Sequence, residues 1–290
     1  MPPELQAGAR IADITAVIST KDRWQTVADT LSRMAPLPVP IVIIDDGSAT
    51  GCPFDAHALH PRLQLERRET SAGIVERRNE LARLCDTTWL LSLDDDSYVV
   101  SGDLAAALDY AASVPDLLAL SFPVFNPRLD RFQSLPLGDG PGRVRSFIGC
   151  AHLMHRERFL AIGGYEPEIV HQGEEEEVAA RALGAGLVIH QFPDLLVHHT
   201  ETLEYRNWDR MDYFGGRNTL LWADWYVPSR WQVVRHVRRC AATLVHALRT
   251  RRLGQIRGHY AALRDTRRLR FKRRRFSPEQ YALWRSLPHC

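Results

Sequence analysis

The 290-residue chain has little cysteine, and what it has is scattered. Cys52, Cys85, Cys150, Cys240 and Cys290 are odd in number and form no CxxC pair, which argues against both a disulfide framework and a zinc site. Long apolar runs are missing as well. No stretch reaches the ~20 residues needed to cross a bilayer, and Met1-Pro-Pro-Glu4 begins no signal peptide. The expectation is a cytoplasmic protein, or one peripheral on the inner membrane face. After the first apolar run, Ala16-Val-Ile-Ser-Thr-Lys-Asp-Arg23 lacks the glycines of a phosphate loop, which counts against a sugar-1-phosphate nucleotidyltransferase. There is no internal repeat. Arginine greatly outnumbers lysine, yet no recognised nucleic-acid motif accompanies it.

Charge is unevenly placed. Residues 1–229 carry 20 Lys and Arg against 33 Asp and Glu, whereas residues 230–290 carry 17 against 2. A chain of this length buries a good core in one large domain, or in one domain with a small appendage. The asymmetry favours the second, with a boundary between 229 and 230. The segment from Arg235 to Arg275 holds helix-like stretches with Val233, Val234, Val237, Leu244, Val245, Leu248, Leu253 and Ile256, so it reads as a basic helical tail. Basic amphipathic helices bind anionic membrane surfaces. A tail of this kind could equally lay its apolar stripe on the acidic domain. Nucleic-acid binding ranks third.

The first half alternates strand and helix patterns. Ile11–Ile18 is an apolar, β-branched run that ends in a polar loop, Ser19 to Arg23, followed by a helical stretch, Trp24–Met34. Pro36, Pro38 and Pro40 break that helix. Ile41–Ile44 is a second strand, stopping at the turn-prone Asp45-Asp46-Gly47-Ser48. Leu63–Leu65 is a weak strand, Gly73–Leu84 a helix, and Trp89–Leu93 a short buried strand. This order predicts an α/β fold, a mostly parallel central sheet flanked by helices. Ligands of such sheets bind outside the carboxyl ends of the strands, so Thr20–Arg23, Asp45–Ser48 and Asp94–Asp96 should converge on one crevice.

Asp94-Asp95-Asp96, at the end of its strand, can hold a hard cation. Mg²⁺ and Mn²⁺ prefer carboxylate oxygens, usually one or two from the protein with the rest from water and substrate phosphates. A solvated acidic turn is the plainer alternative. Further on, Leu104–Ala112 reads as a helix and Leu117–Phe122 as a strand. Pro123 to Arg145 reads as a long loop, either a flap over a ligand or an unstructured excursion. Ile148–Met154 returns as a strand in which Gly149 lets substrate approach the backbone. Glu174-Glu175-Glu176-Glu177 opens a helix after Gly173. The helix dipole favours acids there, but four in a row repel one another, so at least one should face a ligand. Glu177 is expected to face solvent or an arginine. Val188–Phe192 and Leu195–Val197 precede His198-His199. Adjacent strand residues point to opposite faces, so only one of these imidazoles should reach a metal, with His199 preferred. His152, His155, His171 and His190 read as structural. From Tyr205 to Trp231 aromatics crowd between Arg206, Arg210, Arg217 and Asn218, suiting either a sugar-stacking groove or core packing.

Taken in order, Val17–Arg23, Ile43–Ser48, Ser71–Asn79, Leu93–Asp96 and Gly163–Glu166 leading to Gly173–Val178 resemble the inverting family 2 glycosyltransferases of GT-A fold, over roughly residues 11–230. The resemblance implies that Thr20, Arg23, Asp45 and Asp46 hold the nucleobase and ribose, and that Gly73, Arg78, Asp95 and Gly149 line the nucleotide-sugar site. It makes Asp94 and Asp96 a DxD motif, with Asp96 the metal ligand, Asp94 nearer the ribose, and His199 or His198 a further ligand to Mn²⁺ or Mg²⁺. It maps the general base onto Glu175, with Glu174 as fallback. It gives Tyr213–Leu221 a position but no catalytic role. The expected reaction moves a sugar from a UDP, dTDP or GDP sugar to a hydroxyl of a glycan, lipid-linked or small-molecule acceptor. The alternative is a catalytically silent nucleotide-sugar-binding or membrane-scaffolding protein of the same fold.

Overall fold

A computed structural model describes residues 11–34, 36–201 and 207–290. Met1 to Glu4, Tyr205 and Arg206 lie outside the described residues. A short 3₁₀ turn, Ile11–Asp13, leads into β1 (Ile14–Thr20), α1 (Trp24–Met34), β2 (Ile41–Asp45), α2 (Ala56–Leu59), β3 (Leu63–Arg67), α3 (Ile74–Leu84) and β4 (Trp89–Leu93). Every residue of β2 and β4 is buried. That is why they read as unbroken apolar runs: a parallel strand covered on both faces has no solvent side to alternate toward. β5 (Ser97–Ser101), α4 (Leu104–Ser113), β6 (Leu117–Ser121), β7 (Val124–Asn126), β8 (Arg131–Ser134), β9 (Gly142–Arg143) and β10 (Ala151–His155) follow. Then come α5 (Arg156–Ala161), α6 (Glu174–Gly184), β11 (Val188–Gln191), β12 (Leu196–His199), α7 (Trp208–Tyr226), α8 (Ser229–Thr250), α9 (Gly254–Arg268) and α10 (Pro278–Ser286).

The larger sheet has the order β3-β2-β1-β4-β10-β6-β11-β9. Strands β1 to β4 run parallel, as do β6 and β11, while β10 runs antiparallel to both its neighbours and β9 to β11. The sheet is therefore mixed. Thr20 sits opposite Asp45 in the β1–β2 register, so the polar ends of β1, β2 and β4 share one edge. A smaller sheet, β5-β12-β7-β8, stands beside that edge. Its β12 pairs with β5 through His199 and Ser97, so the strand just after the acidic triplet fixes the histidine pair next to it. The large sheet separates two apolar cores. Val17, Val42 and Leu90 point into one, with Phe159, Trp222 and Trp284; Ile18, Ile43 and Leu91 point into the other, with Trp24, Leu31 and Phe122.

One expectation needs correction. Residues 123–145 are not a loop: they hold β7, β8 and β9. The Asn126 side chain accepts from the backbone N–H groups of Arg128 and Leu129, closing a tight β7–β8 hairpin within a stretch whose Pro and Gly content had masked the strands. The basic segment is helical, as expected, and α9 and α10 pack on the rest of the chain. α9 lies on α7 so closely that a Cβ on Gly258 would stand 2.1 Å from the Tyr213 carbonyl oxygen. Arg274 and Phe276 donate backbone bonds to the Trp225 and Tyr226 carbonyls, and Ala262, Phe276, Tyr281 and Trp284 join the core around Trp222. Only α8 stays largely outside that packing, with Thr243 and Ala247 its sole buried residues. Among the described residues no helix is long and apolar enough to cross a membrane.

Candidate active site

The strand ends open on a cleft of about 700 Å³ lined by residues from both sheets and from α3, α6 and the start of α7. At its floor the three aspartates diverge. Asp95 turns back beneath the sheet, accepting from Thr20 Oγ1 at 2.7 Å and pairing with Arg23 Nη1 at 2.6 Å. Burial raises its carboxyl to about 7, with Asp96 adding to the rise and Arg23 opposing it. Asp96 faces Arg23 Nη2 at 2.6 Å on one side and His199 Nε2 at 3.0 Å on the other. Burial alone would push Asp96 up, but His199 and Arg23 outweigh it and hold the carboxyl down at about 2. Asp94 points into the cleft and accepts from Arg78 Nη2 at 2.6 Å, with His199 Nε2 at 4.0 Å.

Of the two histidines, His199 reaches the acids and His198 does not. His198 packs between the rings of Tyr98 and Phe125 on the opposite side of β12, so its assignment as a metal ligand is corrected. His199 is oriented from behind: its Nδ1–H donates to Gln133 Oε1 at 2.8 Å, and Gln133 Nε2 donates to Glu201 at 2.8 Å. Burial lowers the His199 imidazolium, yet Cys150, Asp96 and Asp94 together raise it to about 11. Asp94, Cys150 and His199 each bring a ligand atom within 4.8 Å of the others. Oxygen and imidazole donors together can hold a divalent cation. Burial pushes the Cys150 thiol up, and a soft sulfur is a poor partner for a hard ion.

The four glutamates of α6 have four environments. Glu177 is 1% exposed rather than solvated, held by Arg181 at 2.6 Å and by the Tyr226 hydroxyl. Glu176 turns outward to His289. Glu174 is buried 3.9 Å from Arg78 Nη1, with its Oε2 lacking a hydrogen-bond partner. Glu175, its side chain 23% exposed, faces the cleft 3.9 Å from the same nitrogen. Burial and Glu174 raise Glu175 to about 8, against the pull of Arg78. Arg78 is buried, and its carboxylate neighbours hold its guanidinium above the ordinary value despite the cost of burial. It stands between the Asp94 and Glu175 carboxylates.

The turn that presents α6 carries positive φ at Val170, Gln172 and Gly173. Two of these are non-glycine residues, a strain that surrounding structure must overcome. Asn218 on α7 does so, its Nδ2 donating toward the carbonyls of Ile169, His171 and Gln172 at 2.7–2.9 Å, while Arg217 donates to the Glu168 carbonyl and pairs with Asp265 of α9. The helix that sequence reading gave only a position thus braces the glutamates, and His171, read as structural, lines the cleft.

Other expected residues have narrower roles. Asp46 lines the cleft, but its oxygens accept from Ser71 Oγ, the Ala72 and Gly73 N–H groups and Arg77 Nε. Gly73 caps α3 through that bond. Asp45 is sealed at 0% exposure, accepting from the Ser48 N–H and hydroxyl with Arg67 Nε 3.6 Å away. It braces the turn and does not meet the cleft, a correction to its reading as a nucleobase contact. Gly149 is close to a side chain, not only to open space: a Cβ there would lie 2.3 Å from Glu175 Oε1 and 2.7 Å from Arg78 Nη1. Sequence reasoning missed Gln133, Cys150 and the turn-bracing role of Asn218. Gln133 sat in the supposed loop, and nothing in its neighbours marked it.

A mixed sheet with an acidic strand end, facing a glutamate-opened helix across one cleft, defines a GT-A-type glycosyltransferase fold. The chain belongs to glycosyltransferase family 2: the model of "Glycosyl transferase family 2" matches residues 15–159. It is 26% identical over 234 residues to the pre-mycofactocin glycosyltransferase of two Mycobacterium tuberculosis strains, an alignment covering 74% of this chain and 48% of theirs. The chain thus spans about half the length of these relatives. Among solved structures it resembles GalNAc-T7 with UDP, GalNAc and Mn²⁺ (TM-score 0.56, 16% identity, 75% of this chain and 51% of that one). It also resembles the mannosyltransferase PcManGT of Pyrobaculum calidifontis in complex with GDP-Man and Mn²⁺ (TM-score 0.56, 16% identity, 94% and 79%). At such identities these likenesses establish the fold.

Proposed function

We propose that the protein transfers a sugar from a nucleoside-diphosphate sugar to an acceptor hydroxyl by a single in-line displacement, inverting the anomeric carbon. The observation that carries this reading is the pairing, in one cleft, of a carboxylate with a raised pKa, Glu175, and a separate acid–imidazole cluster, Asp94, Asp96 and His199. A base and a cation site held apart by a buried arginine suit a reaction that removes a proton at one end and releases a diphosphate at the other. Glu175 takes the acceptor's proton at its carboxylate oxygen. Arg78 fixes Asp94 and keeps a positive charge between the two sets of acids. Asp96, Asp94 and His199 would hold Mn²⁺ or Mg²⁺, which when bound stabilises the negative charge of the departing diphosphate. His199 must give up its Nε2 proton to serve as a ligand, and Gln133, holding Nδ1–H, keeps the ring oriented through that loss. Thr20 and Arg23 line the nucleotide end of the cleft. The structural neighbours that hold UDP with GalNAc, and GDP-Man, support a nucleotide sugar as donor.

Calorimetric titration with UDP, GDP and dTDP, each with and without Mn²⁺, tests the reading. One nucleotide should bind only with metal, and Asp96→Asn should weaken that metal-dependent binding. Metal-independent binding, or binding with no turnover of any donor sugar, would favour a catalytically silent protein of the same fold.

A further inference from the structure

Exposed large apolar side chains are unevenly distributed. Of the 17 found among the described residues, 12 lie between Trp231 and Phe271. Most belong to α8, where Val233, Val237, Ala241, Leu244 and Leu248 recur at helical spacing and form one stripe. Val233, Val237, Leu244 and Leu248 are 70%, 63%, 56% and 73% exposed. The helix's buried residues are Thr243 and Ala247, and Thr243 faces the protein, bonded to Gln255 and His259 of α9. α8 therefore turns its polar flank to the protein and its apolar stripe to solvent, the reverse of an ordinary surface helix. Ile256, Tyr260 and Leu263 extend the exposed apolar surface along α9.

The charge around this surface is of one sign. Between Ser229 and Arg264 the sequence contains no Asp or Glu, while exposed Arg238, Arg249 and Arg251 border the stripe. A second copy laid on the same face would set arginine against arginine, whereas an anionic headgroup layer over hydrocarbon matches both features at once. The tip of the hairpin is also fixed beside the cleft. Arg252 Nε pairs with Asp212 at 2.9 Å, and Gly254 abuts the backbone of Asp209 and Tyr213; the same end of α7 supplies Asn207, Arg210 and Met211 to the cleft wall.

We infer that the α8–α9 hairpin is a membrane-surface docking element that lies in the headgroup plane of an anionic bilayer and sets the mouth of the cleft beside it. The inference is independent of the donor chemistry. It is tested by co-sedimenting the full chain with vesicles of phosphatidylcholine alone and of phosphatidylcholine with phosphatidylglycerol, at low and high salt. The chain should bind the phosphatidylglycerol vesicles, more weakly as salt screens the arginines. Leu244→Asp with Leu248→Asp, both at exposed positions, should lower partitioning ~100-fold or more while leaving the melting temperature and metal-dependent nucleotide binding unchanged. Absence of binding to anionic vesicles overturns the inference, as does undiminished binding by the double variant. A dimer in sedimentation velocity that the same substitutions dissociate would also overturn it, by assigning the stripe to a second copy.

Discussion

Replacing Glu175 by glutamine keeps the side chain's size and its place between Gly149 and Arg78 but removes the group that accepts the proton. The structure sets the expected pH dependence. Glu175 is raised to about 8 by burial and by Glu174, so about one tenth of molecules carry the carboxylate at pH 7 and about nine tenths at pH 9. A base works only when deprotonated, so kcat/KM for the wild-type chain rises ~10-fold between those pH values and levels off above them. Activity is lost as pH falls through 8. Glu175→Gln should lower turnover by ~10²–10⁴-fold and erase the rise, with metal-dependent nucleotide binding intact because Asp94, Asp96 and His199 are untouched. The assay is the initial rate of nucleoside-diphosphate release from whichever donor binds in the titration. Full turnover by Glu175→Gln, or the same pH slope in the variant, would refute the assignment and move it to Glu174, whose Oε1 is also 3.9 Å from Arg78 Nη1.

Two further outcomes follow from single contacts. Gln133→Leu removes the acceptor for His199 Nδ1–H and should weaken Mn²⁺ affinity ~10–100-fold without changing the melting temperature, as measured by titration in the presence of the preferred nucleotide; unchanged affinity would deny Gln133 an orienting role. Gly258→Ala places a methyl group 2.1 Å from the Tyr213 carbonyl oxygen and should destabilise the chain by ~1–3 kcal/mol. Thermal unfolding checks this, and an unaltered melting temperature would show that α9 can move off α7 freely.

The periodicity of the chain was enough to locate most of the elements that build the cleft. β2 and β4 are short apolar runs because both their faces are covered, and the acids that follow them must lie at the sheet's carboxyl edge, since parallel strands share a direction. The Gly-then-glutamate opening of α6 was also legible, because helix starts carry local chemistry. The short strands between residues 123 and 145 were not legible. β8 and β9 have too few residues to show a period and are held by pairing with distant segments, so Gln133 looked like part of a loop. The docking of α9 and α10 was one of two open readings. Their arginines suited a membrane surface as well as the acidic domain, while their small and aromatic residues were complementary to α7, a match that only three dimensions display.

The sequence by itself determined where carboxylates, imidazoles and strand ends fall, because those depend on neighbours along the chain. Only the tertiary structure decided which carboxylate does what. Asp95 turned to Thr20, Asp96 to His199 and Arg23, Asp45 into a sealed turn, and Glu175 toward the cleft while Glu177 went to Arg181. The reason is physical: a buried charge is set by the partners and solvent around it, and for Asp95, Asp96 and Glu175 those partners come from residues tens of positions away in the chain.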